Sequence, residues 1–270
     1  MSKVEIYYFS GTGNSLHVAI ELQKRIPEAK LIPIVSLLNT DVIETNGETV
    51  GFVFPIYLTT VPAPVRKFLK KLDLKSTKYI FAIATRERSL CLANITIEKI
   101  LKKKGKRLDS FFVLNNIQNT PTGLMPKGNV DWVNQITKEK ISIIESEVQS
   151  SLDSIQKVII NKEKNRPKAS IPKYFLECLT SFLTQNTNAE LDFYSDTQCS
   201  GCGTCEKVCP SKKIKMIEGK PVWQKHTKCY YCYACFNFCP EQSILLKNYT
   251  YKNGRYHHPN ITANDIAEQK

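Results

Sequence analysis

Eight of the ten cysteines stand near the C-terminal end of this 270-residue chain, in two groups with the same spacing. Each group reads Cys-x2-Cys-x2-Cys-x3-Cys-Pro, and the second begins 30 residues after the first, which indicates an internal duplication. The first cysteine motif comprises Cys199, Cys202, Cys205 and Cys209, and the second comprises Cys229, Cys232, Cys235 and Cys239. Because we find no export signal, cysteines at this density indicate metal or redox chemistry rather than a disulfide scaffold.

Two kinds of metal centre use thiolate ligands, and the spacing separates them. Structural zinc sites typically use two well-separated Cys-x-x-Cys pairs around one ion. Residues 193–247 instead resemble a bacterial-type 2[4Fe-4S] ferredoxin, in which the fourth cysteine of each motif ligates the other cluster. The resemblance therefore implies two [4Fe-4S] clusters with crossed ligands. One would be held by Cys199, Cys202, Cys205 and Cys239, and the other by Cys229, Cys232, Cys235 and Cys209.

The residues between the ligands differ between the two motifs. Gly201 and Gly203 let the first motif fold closely around an inorganic core. The second motif instead has aromatic residues, which would either shield its cluster from water and make the two potentials unequal, or simply pack a small core. These aromatic residues are Tyr230, Tyr231, Tyr233, Phe236 and Phe238.

A loop of glycines and hydroxyl residues near the N-terminus follows an apolar run directly and opens a helical pattern. Amides of such a loop form an anion site, and its hydroxyls can donate to phosphate oxygens. No lysine follows, as a nucleoside-triphosphate loop would require, and Leu16 stands where a dinucleotide fingerprint has its third glycine. We therefore expect a monophosphate, that of flavin mononucleotide (FMN). The predicted residues are Ser10, Gly11, Thr12, Gly13, Asn14 and Ser15.

This loop resembles the phosphate loop of flavodoxins, which implies where the flavin ring would lie. In a flavodoxin-like sheet of order 2-1-3-4-5, the flavin sits at the carboxyl ends of strands one and three. The loop after the fourth strand departs from the glycine-rich or acidic loops common among flavodoxins. Its arginines at positions 86 and 88 would lie near flavin N1 or, as we expect, on the rim. The predicted ring contacts are Pro55, Ile56, Tyr57, Thr85 and Arg86.

Segments of strand-like and helix-like character alternate through the first half of the chain. We predict strands at 4–9, 31–35, 49–54, 79–84 and 111–114, and helices at 15–26, after residue 62, and at 93–104. Strands that alternate with crossover helices indicate a parallel sheet with both faces covered. A longer helix is predicted at 131–160. Its apolar stripe, which we expect to pack on the sheet, comprises Ile144, Val148, Leu152, Ile155 and Ile159.

A polar, charged segment with two prolines at 161–172 has the composition of a linker. We therefore predict a flavodoxin-like FMN-binding domain over 1–160, a linker and connecting helix over 161–192, and a ferredoxin domain with a C-terminal tail over 193–270. The predicted fold class is α/β, a doubly wound five-stranded parallel sheet of order 2-1-3-4-5, followed by an α+β 2[4Fe-4S] ferredoxin domain.

The whole chain resembles a family in which a flavodoxin-like domain is fused to a two-cluster ferredoxin, including the GRYHHP sequence at 254–259. The resemblance implies electron transfer in anaerobic metabolism, with FMN exchanging two electrons and the clusters one at a time. A competing function is a flavin-dependent reductase that acts on a small organic acceptor and draws electrons from the clusters. A redox sensor is a third, but no output domain is attached.

Charge and hydropathy limit the partners. The chain has 38 basic and 25 acidic residues, a formal charge of +13, and the excess is spread over both ends rather than gathered in a nucleic-acid-binding patch. Two clusters and a phosphate would reduce this charge but leave it positive, so we expect an acidic redox partner and no nucleic acid. No apolar run reaches the ~18 residues of a membrane span, and we expect a cytoplasmic protein of undetermined oligomeric state.

The remaining candidate residues carry weaker expectations. We expect His17 and His226 to be structural. The paired histidines at 257–258 could cover a cofactor or dock a partner, but we expect them to lie in a solvated tail. Cys178, in an apolar helical segment, is expected to be a buried small hydrophobe. Cys91 could touch the flavin, but we expect it to be a structural thiol.

Overall fold

A computed structural model describes residues 3–57, 59–87, 91–119, 136–167, 192–247 and 254–270, with scattered positions at 172, 174–176, 178 and 179. Its first seven strands are β1 (Val4–Tyr8), β2 (Lys30–Pro33), β3 (Ile43–Glu44), β4 (Thr49–Pro55), β5 (Leu72–Asp73), β6 (Tyr79–Arg86) and β7 (Ser110–Asn115). Five of them form one parallel sheet in the order β2-β1-β4-β6-β7, while β3 and β5 make a separate short pair. Without that pair the order is 2-1-3-4-5, as predicted.

The central strands are apolar without alternation because both faces of the sheet are covered. Phe52, Val53 and Phe54 in β4 are all fully buried. Gly51 is required where these strands pair, since a Cβ there would lie 2.0 Å from the ring of Phe81 on β6. Close packing of aromatic rings therefore fixes the middle of the sheet.

Four helices cover the sheet: α1 (Asn14–Arg25), α2 (Ala63–Lys71), α3 (Ala93–Lys102) and α4 (Lys138–Ile160). Helix α4 begins at Lys138, where the hydroxyl of Thr137 accepts a hydrogen bond from the backbone amide of Lys140 at 3.2 Å. The predicted start at 131–135 lies outside the described residues. The predicted stripe is confirmed, since four of its members are buried and Ile144 is partly buried against the same core.

The first part of the predicted linker is attached to the sheet. Asn165 donates its backbone N–H to Asp109 at 3.0 Å and accepts one from Phe111 at 2.9 Å. Arg166 also pairs with the carboxylate of Asp109 at 2.9 Å. Asn165 therefore uses hydrogen-bonding groups that the start of edge strand β7 would otherwise leave open.

Small antiparallel pairs and short helices form the C-terminal part. In chain order these are β8 (Phe193–Ser195), α5 (Thr204–Val208), β9 (Ile214–Ile217), β10 (Lys220–Trp223), α6 (Ala234–Asn237), β11 (Ile244–Leu246) and α7 (Ala263–Ala267). Strand β8 pairs with β11, and β9 with β10. Ile214 and Ile244, which occupy equivalent positions of the duplication, are buried together with Cys205 and Cys209.

The two parts of the molecule share one hydrophobic core. Cys232, Ala234 and Phe238 of the cysteine region pack into the same buried cluster as the sheet, as do Ile261 and Ile266 near the C-terminus. This packing holds the second cysteine motif against the sheet. Among the residues that the structure describes, no helix is both long and apolar enough to cross a membrane.

Candidate redox site

A pocket lies at the carboxyl edge of the sheet, where β1, β4, β6 and β7 end. It encloses about 640 Å³, counting its open mouth. The predicted residues that line it are Ser10, Gly11, Thr12, Asn14, Ser15, Pro55, Ile56, Tyr57, Thr85 and Arg86. Gly13 does not line it, but turns the loop into α1 with a left-handed φ of 101°.

One wall of this pocket was missed by sequence reasoning. Glu87 and residues 116–119, which follow β7, complete the lining. The sequence does contain a sign of this wall, since two asparagines follow the predicted fifth strand directly. The carboxyl ends of parallel strands meet at one edge of a sheet, so polar residues there can line the same pocket. Asn14 donates to the carbonyl of Ile117 at 3.2 Å and so joins this wall to the loop.

The loop offers neutral donors to an anion. The hydroxyl of Ser10 accepts from the amide of Gly13 at 3.1 Å, and those of Ser15 and Thr85 lie 2.7 Å apart. The hydroxyl of Thr12 is hydrogen-bonded to the amide of Asn119, and the loop hydroxyls are almost fully buried. The first turn of α1 contains no acidic residue. Buried hydroxyls at an unopposed helix N-terminus fit a phosphate group.

The wall predicted for the flavin ring is held by backbone pairing. The amide of Ile56 donates to the carbonyl of Thr85 at 2.9 Å, which joins the two loops that would flank a ring. The ring of Tyr57 packs edge-on against Phe9, with centroids 6.2 Å apart. Arg86 is partly buried in the lining, whereas position 88 lies outside the described residues.

The second cysteine motif touches the phosphate loop. A Cβ on Gly11 would lie 2.5 Å from the carbonyl oxygen of Cys232 and 2.6 Å from the hydroxyl of Tyr57. Burial raises the pKa of the Tyr57 phenol, and the nearby Cys232 sulfur adds to that rise. Only a residue without a side chain fits between the phosphate loop and this cysteine.

Two buried cysteines, one in each motif, lie close enough to a cysteine of the other motif for its sulfur to act on their pKa. Burial raises the pKa of Cys205 to about 11, with further contributions from the sulfurs of Cys239, Cys202 and Cys199. Burial also raises the pKa of Cys232, and there the contributing sulfurs are those of Cys229 and Cys209. Buried sulfurs that oppose one another's ionisation fit a site that binds metal, because a metal favours thiolate.

Part of the aromatic set in the second motif packs a core. Phe236 and Phe238 are buried, and Tyr233 packs against Phe193 with ring centroids 6.2 Å apart. Tyr230 and Tyr231 instead line a second, largely apolar pocket. That pocket lies between the motif and α2, and Tyr57 borders it on the side of the phosphate loop.

The C-terminal segment (residues 254–270) is bound to the phosphate loop, so the expectation of a solvated tail is wrong for His258, although His257 is exposed. The amide of His258 donates to the carbonyl of Thr12 at 2.8 Å, and the residue is only 3% exposed. Gln269 accepts from the amide of Ser10 at 2.8 Å and donates to its carbonyl at 3.0 Å. Partners 259 positions apart leave no local sequence pattern that would reveal them.

The same segment is bound to the second cysteine motif. The guanidinium of Arg255 lies 3.2 Å from the ring centroid of Phe236 and donates to its carbonyl at 3.0 Å. His257 stacks on Phe238 at 4.4 Å, and the amide of Tyr256 donates to the side chain of Asn237 at 3.0 Å. The C-terminal segment therefore joins the phosphate loop to the cysteine region.

The two cysteines outside the motifs differ from each other. Cys178 is exposed, with the ammonium of Lys99 3.1 Å from its sulfur, so its predicted burial is wrong. The reason is that neighbouring apolar side chains, including Tyr174 and Phe175, are themselves exposed. Cys91 is partly buried, and burial raises its pKa, in keeping with a structural thiol.

Comparison with known proteins gives one family match. Residues 191–256 match the model described as a 4Fe-4S dicluster domain. A candidate flavoprotein from Bacteroides uniformis is 17% identical, with a TM-score of 0.33 over 42% of this chain and 90% of its own. Rubredoxin oxygen:oxidoreductase from Desulfovibrio gigas is 13% identical, with a TM-score of 0.36 over 60% of this chain and 37% of its own, so the likeness spans little more than a third of that protein. Comparison with curated proteins gives no match.

The sheet order and the dicluster match together define the class of protein. A doubly wound, flavodoxin-like sheet precedes a 4Fe-4S ferredoxin domain with small antiparallel sheets. The predicted fold class and the predicted resemblance to flavodoxin-ferredoxin fusions are therefore confirmed. The architecture thus joins a flavodoxin-like sheet to a domain of the 4Fe-4S dicluster type.

Proposed function

We propose that the chain is an electron carrier in which FMN exchanges electrons with two [4Fe-4S] clusters, and the clusters with an acidic redox partner in anaerobic metabolism. The observation that carries this proposal is the contact between Gly11 of the phosphate loop and Cys232 of the second motif. A cluster on Cys232 would lie beside a flavin in the adjoining pocket, with no intervening domain.

The FMN phosphate is assigned to the loop at 10–15. There the hydroxyls of Thr12 and Ser15 and the N-terminus of α1 would bind it. The ring is assigned between residues 55–57 and 85–86. Bound FMN supplies chemistry in which two electrons enter or leave together and can be passed singly. The protein's part is to hold the ring edge against the wall of Tyr57, next to the second motif.

For the clusters we propose the crossed ligation that the ferredoxin resemblance implies, which is supported by the influence of Cys239 on the pKa of Cys205 and of Cys209 on that of Cys232. We call the cluster of Cys229, Cys232, Cys235 and Cys209 the near cluster, and that of Cys199, Cys202, Cys205 and Cys239 the far cluster. Cys232 is buried against the phosphate loop, whereas Cys202 is exposed. Electrons would therefore pass between the flavin and the near cluster, then the far cluster, then the protein surface.

The surface at the far cluster suits an acidic partner. Lys220 is exposed and donates to the carbonyl of Cys199 at 3.1 Å, while the exposed Lys215 is paired with Glu206 at 3.3 Å. Exposed cations around a redox centre steer an oppositely charged protein. We therefore expect association with the physiological partner to slow as ionic strength rises.

Cofactor content tests this proposal. Anaerobically purified protein should contain about eight iron, about eight acid-labile sulfide and about one noncovalent FMN per chain. Zinc in place of iron would contradict the cluster assignment, and bound flavin adenine dinucleotide would contradict the phosphate-loop assignment. Turnover of a small organic acceptor without any partner protein would favour the reductase instead.

Two loop variants test where the flavin binds. Thr12→Val or Ser15→Ala should weaken FMN binding by about 1.5–3 kcal/mol, because each removes a hydrogen bond to a charged group. The iron content should stay unchanged. Thr77→Val is the matched control, since that buried hydroxyl donates to the carbonyl of Gly47 instead of lining the pocket. Lost iron with normal FMN affinity would place the flavin elsewhere.

A further inference from the structure

Three titratable side chains from distant parts of the chain meet behind the phosphate loop. His17 Nε2 lies 2.7 Å from Glu145 Oε1, and His258 Nε2 lies 3.4 Å from Glu145 Oε2. The two imidazole rings are stacked, with centroids 3.8 Å apart and planes 20° apart. Both histidines are buried, and the carboxylate on α4 is partly buried between them and Gln149.

The geometry suits a proton better than a metal ion. An imidazole binds a metal through a lone pair in its ring plane, and two nearly parallel rings 3.8 Å apart cannot both aim at one ion. In addition, the amide of Asn260 donates to His258 Nδ1 at 3.3 Å. That bond places the proton of neutral His258 on Nε2, where it is donated to Glu145 rather than replaced by a metal.

Backbone hydrogen bonds link this cluster to the loop. The amide of His17 donates to the carbonyl of Gly13 at 2.8 Å, one turn into α1. The amide of His258 donates to the carbonyl of Thr12 at 2.8 Å. Each histidine is therefore hydrogen-bonded, through its backbone amide, to a residue of the loop that would bind the phosphate.

Hydrogen bonding and burial determine which groups of the cluster are charged at neutral pH. Hydrogen bonds from His17 and His258 hold the pKa of Glu145 far below its usual range, and burial lowers the pKa of His258. Glu145 is therefore ionised and His258 neutral at neutral pH, so the cluster contains one carboxylate charge that a proton bound among the three side chains would balance. The other titratable groups that face the cluster are Glu21 on α1, and Tyr256 and His257 on the C-terminal segment.

We propose that His17, Glu145 and His258 bind one proton behind the phosphate loop, and that this proton allows the loop to accept a phosphate dianion. The inference rests on the proposed function, because the dianion is that of FMN. The loop at 10–15 contains no cationic residue. With the proton the cluster is neutral, and without it the Glu145 charge would repel the phosphate. These three are positioning residues, and FMN and the proton bind cooperatively.

The sign of the pH dependence follows from this linkage. FMN binding takes up a proton, so affinity falls as the pH rises past the titration of the free cluster, by at most about tenfold per pH unit. The FMN phosphate itself titrates near pH 6, so the measurement belongs above pH 7. Riboflavin, which lacks the phosphate, should bind with little dependence on pH over that range.

The experiment measures the FMN dissociation constant by flavin fluorescence between pH 7 and 9. The FMN affinity of wild-type protein should fall by about tenfold over this range. The control is Glu147→Gln, which removes an exposed carboxylate on the same helix, and its FMN affinity should fall equally. Glu145→Gln should give a flat profile while its cluster absorbance stays unchanged. If Glu145→Gln does not fold, His17→Gln should give the same flat profile, and wild-type protein should take up a proton when FMN is added, whereas His17→Gln should not.

Three results would overturn the inference. A wild-type profile that is flat, a Glu145→Gln profile as steep as wild type, or Zn²⁺ binding that Glu145→Gln abolishes would each remove the proton site. Failure of every protein to bind FMN at any pH would instead overturn the proposed flavin function. The two failures are therefore distinguishable.

Discussion

The two cysteine motifs share a backbone but differ in the residues that adopt it. Gly201 and Gly203 have left-handed φ values of 74° and 76°, and the equivalent Tyr231 and Tyr233, 30 positions on, have 56° and 54°. A left-handed conformation costs a residue with a side chain about 1–2 kcal/mol, whereas glycine adopts it freely. The duplication has therefore kept its geometry while one copy accepted strain.

The surroundings of the two motifs account for this difference. The second motif packs against the sheet, and there an aromatic ring gains contacts that offset the strained backbone. Tyr231 borders the pocket beside Tyr57, and Tyr233 packs on Phe193. The first motif lies at the surface with Cys202 exposed, so a large side chain there has less apolar surface to cover. Proximity to the proposed flavin site thus distinguishes the copies.

The largest predicted effect comes from adding a side chain at Gly11, where the phosphate loop contacts the second cysteine motif. Gly11→Ala would place a methyl group 2.5 Å from the Cys232 carbonyl, so we expect FMN affinity to fall by about 100-fold or more, roughly 2.7 kcal/mol. The near cluster should change its paramagnetic resonance signal. Gly203→Ala is the control: its Cβ meets nothing closer than 3.9 Å, and only its left-handed φ resists the change. Normal FMN affinity in Gly11→Ala would contradict the contact.

Crossed ligation gives the next largest effect. Cys209→Ser should alter the near cluster although Cys209 belongs to the first motif, because serine is a poorer iron ligand than thiolate. Combining Cys209→Ser with Cys232→Ser should perturb one cluster, and combining it with Cys202→Ser should perturb both. Anaerobic paramagnetic resonance distinguishes the pairs, and exchanged patterns would refute the ligand assignment.

The smallest effect concerns the strained tyrosine itself. Tyr231→Gly relieves the left-handed strain but loses aromatic contact, so the free energy of unfolding should stay within about 1 kcal/mol of wild type. Gly201→Tyr should destabilise the first motif by more, because its Cβ would lie 2.8 Å from the carbonyl of Gly219. Chemical denaturation of the holoprotein compares the two. If Tyr231→Gly and Gly201→Tyr lowered the free energy of unfolding equally, the surroundings of the two motifs would not explain their different residues.

Much of this architecture could be predicted because its signals are local. The run of cysteines around Cys202 and the hydroxyl loop around Thr12 are contiguous in sequence, and strand order followed from alternating strand and helix patterns. Such patterns depend on spacing alone. The sequence therefore predicted the sheet and most of the pocket lining.

The remaining features depend on contacts between distant residues. Gln269 meets Ser10 across 259 positions, and no periodicity predicts that an amide near the C-terminus binds a loop near the N-terminus. The buried state of His258 was missed for the same reason, since its sequence neighbours are polar. Exposure of Cys178 was missed in the opposite way, because an apolar neighbourhood in sequence does not guarantee a partner surface in the fold.

The central claim is that electrons move between the flavin and the near cluster before they reach the far cluster. Flash reduction of the flavin in anaerobic holoprotein, followed by cluster absorbance, tests it most directly in Cys232→Ser and Cys202→Ser. Cys232→Ser should slow the first transfer from the flavin by about tenfold or more, whereas Cys202→Ser should leave that transfer unchanged and slow only the later one. A slowed first transfer in Cys202→Ser, with a normal one in Cys232→Ser, would contradict the proposed route.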